Sequence, residues 1–162
     1  MPTPLSSADL KLLGLLQRDA SLTTVELAEA AGMSQSVCWR RLQRLKEDGL
    51  ILRNVALLDR HKVGFETMIF AQVKLSAHGR ANLADFSSAI RKFPEVLECH
   101  LLMGSYDFLL KIIAPDIQAY ERFFFDRLSP LDGIQEVNSI VALSEIKMTT
   151  ELPLSLRPLA TS

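Results

Sequence analysis

Residues Ser34 to Arg53, SQSVCWRRLQRLKEDGLILR, read as one capped amphipathic helix with a cluster of cations. Ser34 is placed to cap it, Val37, Leu42 and Leu45 recur at helical spacing on one face, and Gly49 stops it. Arg40, Arg41, Arg44 and Lys46 lie between those apolar positions. Long cations beside an apolar stripe suit a helix laid on nucleic acid, since the stripe seats it on a domain while the cations meet phosphates. A solvated helix face would carry similar charges, so the neighbouring segments decide between the two readings.

Upstream, Leu10, Leu13 and Leu16, with Leu12 and Leu15 beside them, give a broad apolar face behind Ser6 or Ser7 as cap and Asp9 in the first turn. Thr23 followed by Glu26 is a capping box ahead of Val25, Leu27, Ala28 and Ala31, and Gly32 ends that short second helix. The Gly32-Met33 turn then delivers Ser34. Small Ala28 permits a steep crossing, so the second helix and the Ser34 helix form a helix-turn-helix.

Downstream of Gly49 the chain changes character. LILRNVALLD is rich in branched apolar residues and reads as a strand or short ribbon leaving the helical domain. From Thr67 the elements alternate: TMIFAQVKL as a strand, an amphipathic helix from about Arg80 to Phe93, and VLECHLLM as a second strand. A turn at Gly104-Ser105 leads into the strand YDFLLKIIA. Pro115-Asp116 opens a helix through Tyr120, Phe123, Phe124 and Leu128, and a last strand runs from about Gln135 to Ile146. The order is that of the split βαβ arrangement, a four-stranded antiparallel sheet with both helices on one face. Phe70, Val73, Leu101, Met103, Leu110 and Ile112 exceed what one covered face uses, so the open face is expected to pack against another subunit as a homodimer.

Bulk properties narrow the classes. With 162 residues, 48% of them hydrophobic, the chain holds one ordinary domain or two small ones and is not disordered. No apolar run is long enough for a membrane span, and MPTPLSSADLKLL lacks the basic start and cleavage site of a signal peptide, so the protein is expected to stay in the cytoplasm. Cys38 and Cys99 have no metal-ligand spacing and read as two buried thiols in a reducing compartment. The formal net charge is -1, and residues 1–60 carry eight Lys and Arg against seven Asp and Glu. So neutral a domain binds phosphates modestly per copy, and several copies acting together would gain.

The chain resembles the Lrp/AsnC, or feast/famine, family of prokaryotic transcription regulators over nearly its whole length. The residues that carry the resemblance are Leu5, Asp9, Leu12, Leu13, Leu16 and Asp19, the pattern SxxxCxxRLxRL from Ser34 to Leu45, and GLI followed by ALLD through Asp59. ECHLLMGSYDFLLK from Glu98 to Lys111, Pro115-Asp116, Tyr120 and the closing EIKMTTELPL add to it. The resemblance implies an α+β fold: a winged-type helix-turn-helix over residues 1–53, a linker strand or hinge over 54–66, and a ferredoxin-like βαββαβ sandwich, the RAM domain, over 67–162. It further implies a regulator that binds double-stranded DNA and an amino acid or related metabolite, with homodimers assembling into an octamer or other ring of dimers. No catalytic residue, metal or cofactor is expected. Departures from the family pattern bear on specificity. Gln35 and Trp39 stand where Pro and an acidic or small residue are common, and Asn54 and Arg60 where an aromatic and a proline are frequent. Ser105 replaces a commonly acidic residue, and Val137 and Ser139 replace two threonines.

The residues expected at DNA are Ser34, Gln35, Ser36, Trp39, Arg40, Arg41 and Arg44. Arg reads guanine bidentately and Gln reads adenine, whereas Ser36 suits phosphate; Arg41 is ambiguous, and Trp39 packs against the first helix on the competing reading. In the sensor half, Gly104 lets backbone approach a ligand and Asp107 offers a partner to an ammonium group, although the same residues also suit a plain tight turn. By resemblance, Met103, Gly104, Tyr106, Asp107 and Ser139 form the effector set, the last strand coming from a neighbouring subunit. His61, His78 and His100 read as satisfied or solvated. Two competing functions remain: a tetrapyrrole enzyme similar to the sirohaem decarboxylases, for which His100 is the candidate, and an oligomeric ligand-binding module without DNA affinity.

Overall fold

The computed structural model describes residues 5–156. The chain divides into two compact units: one takes the chain up to Leu57 and again from Lys147 onward, and the other is Leu58–Ile146. Sequence reading ran the second domain from residue 67 to the C-terminus. In the structure residues 147–156 group with the helical unit, and the outermost positions of the expected domains, 1–4 and 157–162, lie outside the described residues.

Local signals set the three helices of the first unit. Helix α1 (Ser7–Leu16) starts at a reciprocal box, in which Ser6 Oγ accepts from Asp9 N and Asp9 accepts from Ser6 N. Helix α2 (Thr24–Ala31) starts at the Thr23/Glu26 box and ends at Gly32, whose φ of 71° places it in the left-handed region. Helix α3 (Gln35–Glu47) is capped by Ser34. It ends in a Schellman closure, where Leu50 N donates to Leu45 O and Gly49 N to Lys46 O. Leu12, Leu27, Ala28, Ala31, Cys38 and Leu42 form the core between them. The seating stripe of α3 is therefore Cys38, Leu42 and Leu45, with Val37 only half-buried, a shift of one residue from the expected stripe. Cys38 behaves as a small hydrophobe here, and burial pushes its thiol pKa up.

The expected strand after Gly49 does not form. Residues 51–59 carry no regular structure, because no other segment among the described residues offers them a ladder partner.

The second unit has strands β1 (Thr67–Leu75), β2 (Val96–Leu101), β3 (Phe108–Ala114) and β4 (Ile134–Ala142) in the antiparallel order β2-β3-β1-β4. This is the split βαβ topology. Helices α4 (Ala77–Ala81) and α5 (Leu83–Ile90) replace the single helix expected from Arg80 to Phe93. The break falls at Asn82, an exposed residue whose side-chain amide donates to His78 O. Helix α6 (Ile117–Phe123) continues into a π-helical turn, Phe124–Leu128. Arg127 of that turn stacks over the Phe93 ring at 4.5 Å and pairs with Glu95 at 2.6 Å. Strand β4 ends at Ala142, short of Ile146, because its last ladder partner on β1 is Met68.

Side-chain parity sorts the apolar residues between the two faces. Val73, Leu110 and Ile112 point into the core with Ile69, Leu75, Phe86, Ile90, Tyr120 and Phe123. Of the six residues expected to exceed one covered face, Phe70 lies on the open face, and its cross-strand neighbours and those beside it make that face Met68, Leu109, Ile113 and Ile140. Leu101 sits on the edge strand and Met103 in a loop. Cys99, expected buried, is exposed, as is His100, because β2 is the sheet edge.

Two glycines meet where α4 begins. A Cβ on Gly79 would fall 2.4 Å from Gly133 O, the carbonyl that accepts from Ser76 N. Gly79→Ala should cost about 1–3 kcal/mol of sheet-unit stability by urea unfolding. Gly14→Ala, with nothing within 4 Å of the new atom, should instead raise stability by about 0.5–1 kcal/mol.

Candidate nucleic-acid interface and sensor loop

Seating α3 through Cys38, Leu42 and Leu45 turns Ser36 and Arg40 to the opposite side, about half a turn away. Gln35, Ser36, Trp39, Arg40 and Arg44 are exposed and Arg41 is half-buried, so the expected DNA-facing residues share one helix and most share its free side. At the helix start, where backbone N–H groups lack partners within the helix, Ser34 Oγ accepts from Val37 N. Ser34 spends its hydroxyl as cap, accepting from Val37 N at 3.4 Å and lying 3.3 Å from Ser36 Oγ. Trp39 is 56% exposed. It falls on the flank of α3 away from Arg41 and Arg44, the residues that meet α1, so it does not pack against the first helix.

The arginines divide into two kinds. Arg40 has no ion-pair partner among the described residues. Arg41 Nη1 lies 2.9 Å from Asp9 Oδ1, and Arg44 Nη2 lies 2.7 Å from Asp9 Oδ2. Asp9 is 1% exposed and also accepts from Ser6 N and Ser6 Oγ. Burial alone would raise its pKa, but the hydrogen bonds from Ser6, Arg41 and Arg44 outweigh burial and hold it at about 2. In the sequence Asp9 is a first-turn acid and part of the family resemblance; its arginine partners lie 32 and 35 residues away, beyond any local pattern.

Three more contacts complete this unit. Lys11 Nζ donates to Ala31 O at 3.1 Å, closing the end of α2. The returning tail is tied to the end of α1 by Gln17, which both donates to Leu152 O and accepts from Leu152 N, and by the Arg18–Glu151 pair.

In the sheet unit the loop after β2 closes when Leu102 N donates to Asp107 O. Met103 is fully exposed and Gly104 has open space around it. Asp107 is anchored: its N–H donates to Val73 O, its Oδ2 accepts from Leu75 N at 2.7 Å, and Arg80 Nη1 stands 3.6 Å from the same oxygen. Tyr106 donates to Glu136 Oε1 at 3.1 Å, and that carboxylate raises the tyrosine pKa. The loop residues thus lie together. Ser139 does not join them within one chain. It pairs across from Ala71 on the helix-covered side, bonds the Tyr120 hydroxyl, and lines a hollow of about 270 Å³ with Ile117, Glu121, Phe124 and Phe125. His100 contacts Glu98, which Lys111 also holds, and these bonds keep the Glu98 carboxyl below its usual range.

Comparison with known proteins gives this geometry its class. Residues 68–152 match the Lrp/AsnC ligand binding domain, and residues 5–51 match a winged helix-turn-helix DNA-binding domain. The DNA-binding transcriptional activator DecR of Escherichia coli K12 is 36% identical over 93% of this chain and 99% of its own. The glutamate uptake regulatory protein of Zymomonas mobilis is 37% identical, with 93% and 91% covered. Among solved structures, a Neisseria meningitidis transcriptional regulator in complex with L-Met superposes with a TM-score of 0.89 at 38% identity, covering 93% of this chain and 97% of that one. An AsnC family regulator of Agrobacterium tumefaciens gives 0.88 at 40% identity, with 93% and 98% covered. The chain belongs to the Lrp/AsnC family of DNA-binding transcription regulators. No helix among the described residues is long and apolar enough to cross a membrane.

The Asp9 cluster makes stability depend on acid. Its depressed pKa contributes about 2 kcal/mol that is fully present above the unfolded value of 3.8 and is lost as pH falls towards about 2. The stability gap between wild type and Asp9→Asn in chemical denaturation should therefore narrow steadily from pH 4 to pH 2. A gap constant over that range rules the linkage out.

Proposed function

We propose that this regulator reads DNA with the free side of α3 and responds to an amino acid through the loop Met103–Asp107. The observation that carries the reading is the exposed row on α3, with Arg40 unpaired among the described residues at its centre. Arg40 and the outward donors of Arg44 meet phosphate or guanine, Gln35 and Trp39 read base edges, and Ser36 with the helix start meets phosphate. Ser34 and Arg41 contribute by holding the helix.

For the sensor, Gly104 leaves room for ligand backbone and Asp107 Oδ1, unlike Oδ2, has no partner among the described residues. An ammonium group fits that oxygen. Met103 and Tyr106 border the same loop, and Ser139 contributes from the last strand of a neighbouring copy, since within one chain it faces α6. The L-Met carried by the Neisseria relative supports an amino acid as the effector class. The open sheet face with Met68, Phe70 and Ile140 supports a homodimer, and dimers assemble into an octamer or other ring in the cytoplasm. The effector binds between dimers and shifts the assembly by its differential affinity. The protein acts by binding and has no catalytic role.

Arg40→Ala with Arg44→Ala should weaken binding to a selected duplex at least about tenfold in gel-shift titration, with the size-exclusion profile unchanged; equal binding removes α3 from the interface. Calorimetry across the amino acids should find a binder whose affinity falls roughly tenfold or more in Asp107→Ala. An unaffected affinity refutes the role given to Asp107.

A further inference from the structure

Asp9 is the one charged side chain fully buried among the described residues, and both cations that compensate it come from α3. A guanidinium that swung out to a phosphate would take from this buried carboxylate one of its two compensating charges, so the pairs resist opening. Arg40 is under no such restraint. Binding to arbitrary duplex depends on how many cations are free to displace counterions from phosphates.

We propose that Asp9 is a positioning residue for DNA discrimination, withholding Arg41 and Arg44 from indiscriminate phosphate contact and fixing the direction of their guanidinium forks. The two arginines are held to different degrees. Arg41 Nη1 serves both Asp9 Oδ1 and Ser6 Oγ, at 2.9 and 3.1 Å, and its side chain is 29% exposed. Arg44 reaches Asp9 through Nη2 and keeps 47% of its side chain exposed, which leaves outward donors at a fixed angle. On random sequence α3 gains the charges of Arg40 and Lys46, neither of which has an ion pair among the described residues, and little else. On a duplex whose phosphate or guanine edge meets the outward side of Arg44, a pre-oriented fork engages without further loss of side-chain freedom. One buried acid on the neighbouring helix thereby converts two of three arginines from general attraction to orientation-dependent contact.

The proposal rests on the DNA-binding reading, and the experiment separates the two. Full-length protein is titrated against a duplex it has enriched from a randomised pool and against a scrambled duplex of equal length, each over a series of KCl concentrations. Arg40→Gln should flatten the slope of log affinity against log salt on the scrambled duplex by roughly one per engaged helix. Arg41→Gln should flatten it by less than half as much. Asp9→Asn should steepen that slope and lower the ratio of selected to scrambled affinity by about tenfold. A merely structural role would move both affinities in parallel and leave the slope alone, and that result overturns the proposal. If Asp9→Asn does not fold, equal flattening by Arg40→Gln and Arg41→Gln overturns it, and unequal flattening in the stated order supports it. A wild type that enriches no duplex overturns the DNA-binding reading and the proposal with it.

Discussion

The carboxylate of Asp9 fixes the geometry on which the helical unit's use depends. It lies on α1 and is fully buried, and it is reached by Arg41 and Arg44 of α3 and by Ser6 at its own helix start. An uncompensated charge there would be costly, so α1 and α3 keep the one arrangement that pairs it. The apolar contacts of Leu12, Leu27, Cys38 and Leu42 supply most of the burial, yet such contacts are tolerant of small rotations. The forked pairing is not. It turns the Cys38, Leu42 and Leu45 stripe inward and leaves Arg40 on the free side.

The sheet unit depends on parity in the same way. Because side chains alternate along a strand, placing Ile69, Ala71, Val73 and Leu75 inward commits Met68, Phe70 and Gln72 to the open face. The same rule sends Ser139 toward Tyr120 while the carboxylate that bonds Tyr106 belongs to Glu136, three residues earlier and opposite in parity. Asp107 anchors the loop to β1 through backbone groups of Val73 and Leu75, so anything bound at that loop acts directly on the sheet's central strands.

What could be read in the sequence was what local chemistry encodes. A serine cap at Ser6 or Ser7, the Thr23/Glu26 box, the Ser34 cap and the glycine stops at Gly32 and Gly49 are short-range signals, and the three helices form where they place them. The order of strands and helices gave the split βαβ sheet for the same reason. Periodicity located the seating stripe of α3 only to within a residue, because Cys38 carries no strong hydrophobic signature while Val37 does. Which of the apolar residues of β1 and β3 face the core could not be read from the pattern, because both faces are apolar at several positions and alternation is weak. The segment after Gly49 has the composition of a strand, but a strand also needs a partner, and composition says nothing of partners. The Asp9 pairs and the Asp107 anchor join residues about 32 apart or more, and only the folded chain brings them within reach.

The amide of Gln17 grips Leu152 from both sides, and with the Arg18–Glu151 pair it makes the C-terminal strap part of the helical unit. The helical unit is thus discontinuous in the gene: its two pieces enclose the sheet unit as an insertion. A graft between relatives that exchanges only the N-terminal segment would mate foreign helices to a resident strap. A faithful exchange needs two junctions, one near Leu57 and one near Lys147.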